Sequence, residues 1–225
     1  MKPAAFDYVR ADSLDEALAG LHQHGQDARI LAGGMSLLPM LNMRLAKPAV
    51  LIDIMRIPAL AAIRSEDALV VPAGVRQAQV LPPPCLPSEV PPLAAAMPWI
   101  GHVQTRSRGT VCGSAAHADP SAEIPLCLVA LEGELHLRSK KKKRRVPAET
   151  FFAGMMVTDK ADDEMIEAAA FPKRRPGTGY AFAEVGRRHG DFAIAACAAV
   201  VDGKRMRLAV GGVGDRPTAR DFPRL

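Results

Sequence analysis

The sequence predicts an α+β chain, with a small parallel strand–helix–strand unit near the start, a mixed middle region and a set of antiparallel strands at the end. Three observations carry this. Two apolar runs of strand length, 28–31 and 49–54, bracket a glycine turn and a stretch with helical spacing. Leu135 and Leu137 alternate with polar residues. The last third replaces helical spacing with short strand candidates separated by Gly and Pro.

The elements follow in order. Ser13-Leu14-Asp15-Glu16 reads as a capping box, with Leu14, Ala17, Leu18 and Leu21 at helical spacing and Gly25 as a stop. Ala28-Arg29-Ile30-Leu31 is a strand running into Ala32-Gly33-Gly34-Met35-Ser36, and Leu37, Leu38, Leu41 and Leu45 resume a helix that tolerates Pro39 in its first turn. Ala49 to Ile54 and Ala68 to Pro72 are further strands. The proline cluster from Pro82 to Pro92 reads as irregular chain, Leu93 to Ile100 as a weak helix, and Gly109 to Pro120 as a flexible tract of small residues. Ser121 to Leu131 is expected as a helix starting at Asp119-Pro120, with Ile124, Cys127, Leu128 and Leu131 on one face. Strand candidates at 165–171, 179–185 and 206–210 flank the small apolar segment 192–201. The antiparallel sheet expected from near Pro176 has three strands and one bare face, an incomplete layer.

The 225 residues are 48% hydrophobic and 24% charged, which excludes wholesale disorder and fibrous repeats. The net charge of +5 looks like a nucleic-acid signal until it is located. Lys140 to Arg145 supplies six positive charges, so everything else carries 5 − 6, about −1. A solvated loop is the expectation for this run, with an acidic partner subunit or a nucleic-acid patch as sharper alternatives. Aromatic residues are 4% of the chain and form no stacking array, so no nucleic acid is expected as a partner. Cys85, Cys112, Cys127 and Cys197 make no CxxC pair, which leaves neither a zinc site nor an iron–sulfur ligand set in view. With no apolar run of membrane length and no apolar signal core, the chain reads as cytoplasmic, without stable membrane insertion.

Two glycine-bearing turns carry the chemistry. In Ala32 to Ser36 a strand ends, two glycines permit close backbone approach, and a helix begins, so amide hydrogens converge where an anion such as a pyrophosphate can sit. An ordinary tight turn has the same pattern. Thr110-Val111-Cys112-Gly113-Ser114 offers hydroxyls around a flexible backbone, with Asp119 and Glu123 within reach of the sugar hydroxyls of a nucleotide; a plain surface loop is the alternative. Neither turn matches G-x-G-x-x-G or GxxxxGK[ST], which disfavours a Rossmann dehydrogenase or a nucleoside triphosphatase.

These residues resemble a known family, the FAD-binding medium subunit of molybdenum hydroxylases, the group that includes carbon monoxide dehydrogenase and xanthine dehydrogenase. The similarity runs in order through Lys2 to Tyr8, Leu31 to Pro39, Pro48 to Ile54, Ile100 to Thr110, His117 to Pro120, Phe151 to Gly154 and Arg187 to Ala193. It implies a two-subdomain FAD-binding domain of the PCMH type over 1–175, divided at about 57, and an incomplete C-terminal flavoprotein domain over 176–225. It implies FAD held through Ala32, Gly33, Gly34, Met35, Ser36 and Leu37 on one side and Thr110, Val111, Cys112, Gly113 and Ser114 on the other. His117 and Asp119 would line the cleft and Glu123 would bond a ribose hydroxyl. Phe192 would lie near the isoalloxazine ring, although as a residue it reads equally well as core.

The resemblance further implies electron transfer from an iron–sulfur small subunit, in a complex with a molybdopterin large subunit, as a heterotrimer or its dimer, to an external acceptor; the chain would not act on substrate alone. Two departures stand out. The second turn has Cys112 where the family usually has a glycine, which would strain the turn if that position needs positive φ. The chain also ends before the family's usual C-terminal helix. Both leave open a non-catalytic interaction protein that has lost FAD. A vanillyl-alcohol-type oxidase is disfavoured by the short chain and by the lack of a covalent-flavin histidine motif.

Overall fold

A computed structural model describes residues 2–81 and 89–223. Cys85 and most of the proline cluster lie outside the described residues. Three sheets follow one another along the chain, with a further two-stranded ribbon. The first has the order β1 (Asp7–Arg10), β3 (Val50–Asp53), β2 (Ala28–Leu31), all parallel. Helix α1 (Leu14–His24) lies against it with Leu14, Ala17, Leu18 and Leu21 buried, as the spacing predicts. Ser13 Oγ accepts the Glu16 amide at 3.1 Å, and Glu16 returns a carboxylate oxygen to the Asp12 amide at 2.8 Å, one residue ahead of the cap. Strand β1 was not expected: it is short, exposed and without alternation.

The second sheet has the order β4 (Arg64–Ser65), β5 (Ala68–Pro72), β10 (Met165–Pro172), β6 (Glu134–Arg138), β7 (Lys143–Pro147), and is antiparallel throughout. Its central strand, β10, therefore comes from the far end of the segment. The ribbon pairs β8 (Phe152–Gly154) with β9 (Val157–Thr158). Two expectations are corrected here. The basic run is only in part the solvated loop expected: Lys140 to Lys142 form the exposed tip of the β6–β7 hairpin and the rest belongs to β7. Alternation along β7 turns Arg144 inward beside Val146, where its guanidinium bonds both oxygens of the buried Glu164 at 2.8 and 2.7 Å and also reaches Asp159. This pairing holds the Glu164 carboxyl down at about 2. Pro91 and Pro92, expected in irregular chain, instead open a short helix, Pro91–Ala96, where missing amides cost nothing.

The third sheet is antiparallel and has four strands, not three: β11 (Gly179–Val185), β12 (Ala195–Val201), β13 (Arg205–Gly211), β14 (Thr218–Pro223). Its inner face, with Phe182, Ala198 and Ala209, packs on the Pro91–Ala96 and Glu123–Ala130 helices. The other face carries Ala183, Val185, Cys197, Leu208, Val210 and Phe222 and is open to differing degrees, so the expected bare face is present on one side only. The Glu123–Ala130 helix is shorter than expected and buried on every side, because it is enclosed by the third sheet and by the helices Pro91–Ala96, Val111–His117 and Ala148–Phe151. No helix among the described residues is long and apolar enough to cross a membrane.

Candidate cofactor site

The first turn begins where β2 ends. Leu38 donates the first helical bond, to Gly34 O at 3.0 Å, leading into α2 (Leu37–Asn42). None of the five consecutive amides from Gly33 to Leu37 has a hydrogen-bond partner among the described residues. The two glycines serve different needs. Gly34 has φ +72°, a conformation that costs other residues steric strain. Gly33 needs its missing side chain instead: a Cβ there would lie 2.3 Å from Arg108 O and 2.7 Å from Gly109 Cα. The first turn is thus pressed, backbone on backbone, against the segment that leads into the second.

That second turn is a helix start, and the expectation of a flexible turn is corrected. Thr110 caps the helix Val111–His117 by accepting the Gly113 amide on Oγ1 at 3.0 Å. Cys112 sits in the first helical turn with ordinary backbone angles, so the anticipated strain is absent. Its side chain is 3% exposed and donates to Val71 O at 3.3 Å, and burial pushes the thiol up to about 12. A thiol so far from ionising is a packing residue, not a redox centre. Val111 is also buried, while Gly113 and Ser114 are partly open.

Downstream, Ala118 closes the helix in the left-handed conformation and its carbonyl accepts the Met156 amide at 3.0 Å. His117 is half-buried at the helix end, and Asp119 Oδ1 accepts the Ser121 amide at 2.9 Å. Glu123 is 7% exposed and burial raises it to about 7, with Glu184 and Asp119 adding repulsion. Glu184 is itself raised by burial, and its Oε2 is buried without a hydrogen-bond partner among the described residues. Phe192 is 72% exposed, so its reading as a core residue is excluded. Its turn is held from below: His189 stacks on Trp99 with centroids 5.2 Å apart, and Gly190, at φ +86°, leaves room for the His102 ring, whose Cε1 a Cβ would approach to 2.5 Å.

Ala32 is partly buried against the core, Met35 is exposed, and Ser36 and Leu37 are partly exposed. The structure therefore brings Gly33–Leu37 and Thr110–Ser114 together through Gly33 and Arg108. Sequence reasoning did not give Gly109 a role of its own, yet a Cβ there would meet Gln77 Oε1 and Thr105 O at 3.0 Å. The Trp99–His189 stack was also missed. Among the described residues no cluster of His, Cys, Asp or Glu suits a metal ion.

A run of unpartnered amides at one helix start, set against a second helix start, suits the anionic group of a phosphate-bearing ligand and is built without a Rossmann motif. The comparisons narrow the class. Residues 4–174 match the family described as the FAD binding domain in molybdopterin dehydrogenase. The chain is 40% identical over 224 residues to the 6-hydroxypseudooxynicotine dehydrogenase complex subunit alpha of Paenarthrobacter nicotinovorans, covering 97% of this chain and 76% of that protein. It is 39% identical to the carbon monoxide dehydrogenase medium chain of Hydrogenophaga pseudoflava, covering 89% and 70%. The solved carbon monoxide dehydrogenase from that organism superposes with a TM-score of 0.93 at 37% identity, over 97% of this chain and 78% of the matched one. The chain belongs to this family, the FAD-binding medium subunits of molybdenum hydroxylase-type dehydrogenases, and FAD is its cofactor.

Proposed function

We propose that this chain is the electron-transfer subunit of a cytoplasmic molybdenum hydroxylase, taking electrons from an iron–sulfur small subunit and delivering them to an external acceptor. The molybdopterin large subunit would oxidise the substrate, in a heterotrimer or its dimer, and this chain would be inactive on substrate alone. FAD, when bound, supplies the step between the one-electron relay and the final acceptor. The observation that carries the reading is the row of unpartnered amides from Gly33 to Leu37 beside the Thr110-capped helix.

In this reading the two helix starts hold the pyrophosphate through backbone donors, which need no side-chain charge. His117 and Asp119 line the cleft. Glu123, raised by burial to about 7, holds its proton in part of the population near neutral pH and then offers a hydroxyl donor to the ribose. Phe192, exposed on a turn fixed by Trp99 and His102, covers the ring. The three successive sheets support a division at about residues 57 and 175. The case for a chain that has lost FAD weakens, because Cys112 is unstrained.

Titration of the flavin-free chain with FAD, followed by flavin fluorescence, tests the cradle. FAD is expected to bind and ADP to compete, because the two share the pyrophosphate; riboflavin is expected to bind far more weakly. Equal affinity for riboflavin would show that the phosphates are not the anchor. Adding an oxidisable substrate to the isolated flavoprotein is expected to leave the flavin oxidised, while adding it to the assembled complex reduces it.

A further inference from the structure

The basic hairpin is the feature that FAD binding leaves unused. A cavity of about 310 Å³ opens between α1 and this hairpin, lined by Asp15, Leu18, Arg138, Ser139 and the Lys140–Lys143 stretch. Ser139 is 4% exposed and its Oγ accepts the amides of Lys141 and Lys142 at 3.3 and 3.2 Å, which fixes the turn that carries the lysines. The charges around the cavity are not equivalent. Arg138 is engaged by Glu167 at 3.1 Å and Asp15 at 3.8 Å, and Lys142 reaches Glu164 at 3.7 Å. Lys140, Lys141 and Lys143 have no carboxylate within ion-pair distance among the described residues. Three unbalanced ammonium groups thus ring one concave spot on a chain whose remaining charge is near zero.

We infer that this cavity is a docking site for an acidic polypeptide segment, with Glu or Asp side chains of a partner protein seated among Lys140, Lys141 and Lys143. This goes beyond the cofactor reading and does not depend on it. Leu18, itself buried, closes the floor of the cavity beneath the charged rim. The walls explain why a duplex does not fit. Asp15 lines the site, and Asp12 and Glu16 lie near it in sequence at the start of α1, so this wall repels a continuous phosphate backbone, whereas a short acidic segment can meet the lysines alone.

The test uses the FAD-loaded full chain and a fluorescein-labelled hexaglutamate peptide read by anisotropy at low salt. Lys140→Glu/Lys141→Glu/Lys143→Glu is expected to weaken binding by at least about tenfold, and Lys2→Glu/Lys47→Glu/Lys204→Glu by less than about twofold. Salt at ~0.3 M is expected to abolish binding to the unaltered chain. Equal losses in the two triple variants would overturn the inference, as would tighter binding of a short DNA duplex or displacement of the peptide by equimolar pyrophosphate. Carbodiimide coupling of the peptide to the unaltered chain needs no variant: adducts on Lys140, Lys141 and Lys143 support the site, and an even spread over all lysines overturns it.

Discussion

Replacing Gly33 by alanine probes the junction between the two helix starts with one methyl group. The new Cβ would lie 2.3 Å from Arg108 O and 2.7 Å from Gly109 Cα, against an ordinary carbon contact of about 3.5–4.0 Å. Both obstacles are backbone atoms, so no rotamer change relieves them, and the two turns must part by about 1 Å. Overpacking of this kind costs about 1–3 kcal/mol. For a domain of this size that lowers Tm by about 2–12 °C. The same parting spoils the convergence of the amides on one pyrophosphate, and FAD affinity is expected to fall at least about tenfold, or 1.4 kcal/mol. Gly34→Ala is the matched control. It costs about 1–2 kcal/mol through its φ of +72°, but its new Cβ meets the end of the exposed, movable Leu38 side chain. Thermal melts of the apo forms and FAD titrations of both variants separate the two effects: similar loss of stability, larger loss of affinity at Gly33. A Gly33→Ala protein with unchanged Tm and FAD affinity would refute the claim that the turns depend on this contact.

Cys112→Gly, which the sequence suggests would be neutral or helpful to FAD binding, is expected to destabilise the chain by about 1–3 kcal/mol, since it puts glycine inside a helix and empties a packed site; a denaturant midpoint at or above that of the unaltered chain would contradict this. Glu164→Gln removes the partner of Arg144 and is expected to cost about 2–3 kcal/mol, below the range for a fully buried pair because Arg144 is partly exposed and keeps Asp159. Because the folded-state pKa of Glu164 is depressed, its contribution is complete above its ordinary value near 4.5 and is lost as pH falls toward about 2, so the variant is expected to show a flatter acid limb in Tm against pH. Glu123 has the opposite sign: its raised folded-state pKa makes stability decline as pH rises from about 4.5 through about 7. Glu123→Gln in the apo form is therefore expected to gain stability at pH above 7 and little near 4.5, as checked by melts across that range.

Where local rules and tertiary packing agreed, the sequence was readable. α1 was legible to the residue because Ser13, Glu16 and four spaced apolar side chains all point to one helix. The strands bracketing Gly33 and Gly34 were legible for the same reason. β14 was not, since Arg-Pro-Thr-Ala-Arg-Asp carries the charge and proline that edge strands tolerate and that composition reads as loop. The Thr110 cap was hidden by the small residues around it, although a threonine three residues ahead of Gly113 was the available sign. Both candidate segments could be singled out because their glycines and small residues are local features. Their contact could not, because Gly33 and Arg108 are brought together by the arrangement of two sheets and no pattern within either segment encodes it.

The central position of β10 bears on how the site comes into being during synthesis. Residues 7–53 contain every strand of the first sheet, so the Gly33 turn can be in place early. The second sheet cannot close in the same way, because β5 and β6 flank a strand that emerges only at residues 165–172. Until then the Val111–His117 helix lacks the part of its floor that β10 supplies. A nascent chain stopped before residue 165 would thus carry both halves of the proposed FAD cradle in its sequence but only one on a finished scaffold, and on that proposal flavin capture is an event of late synthesis.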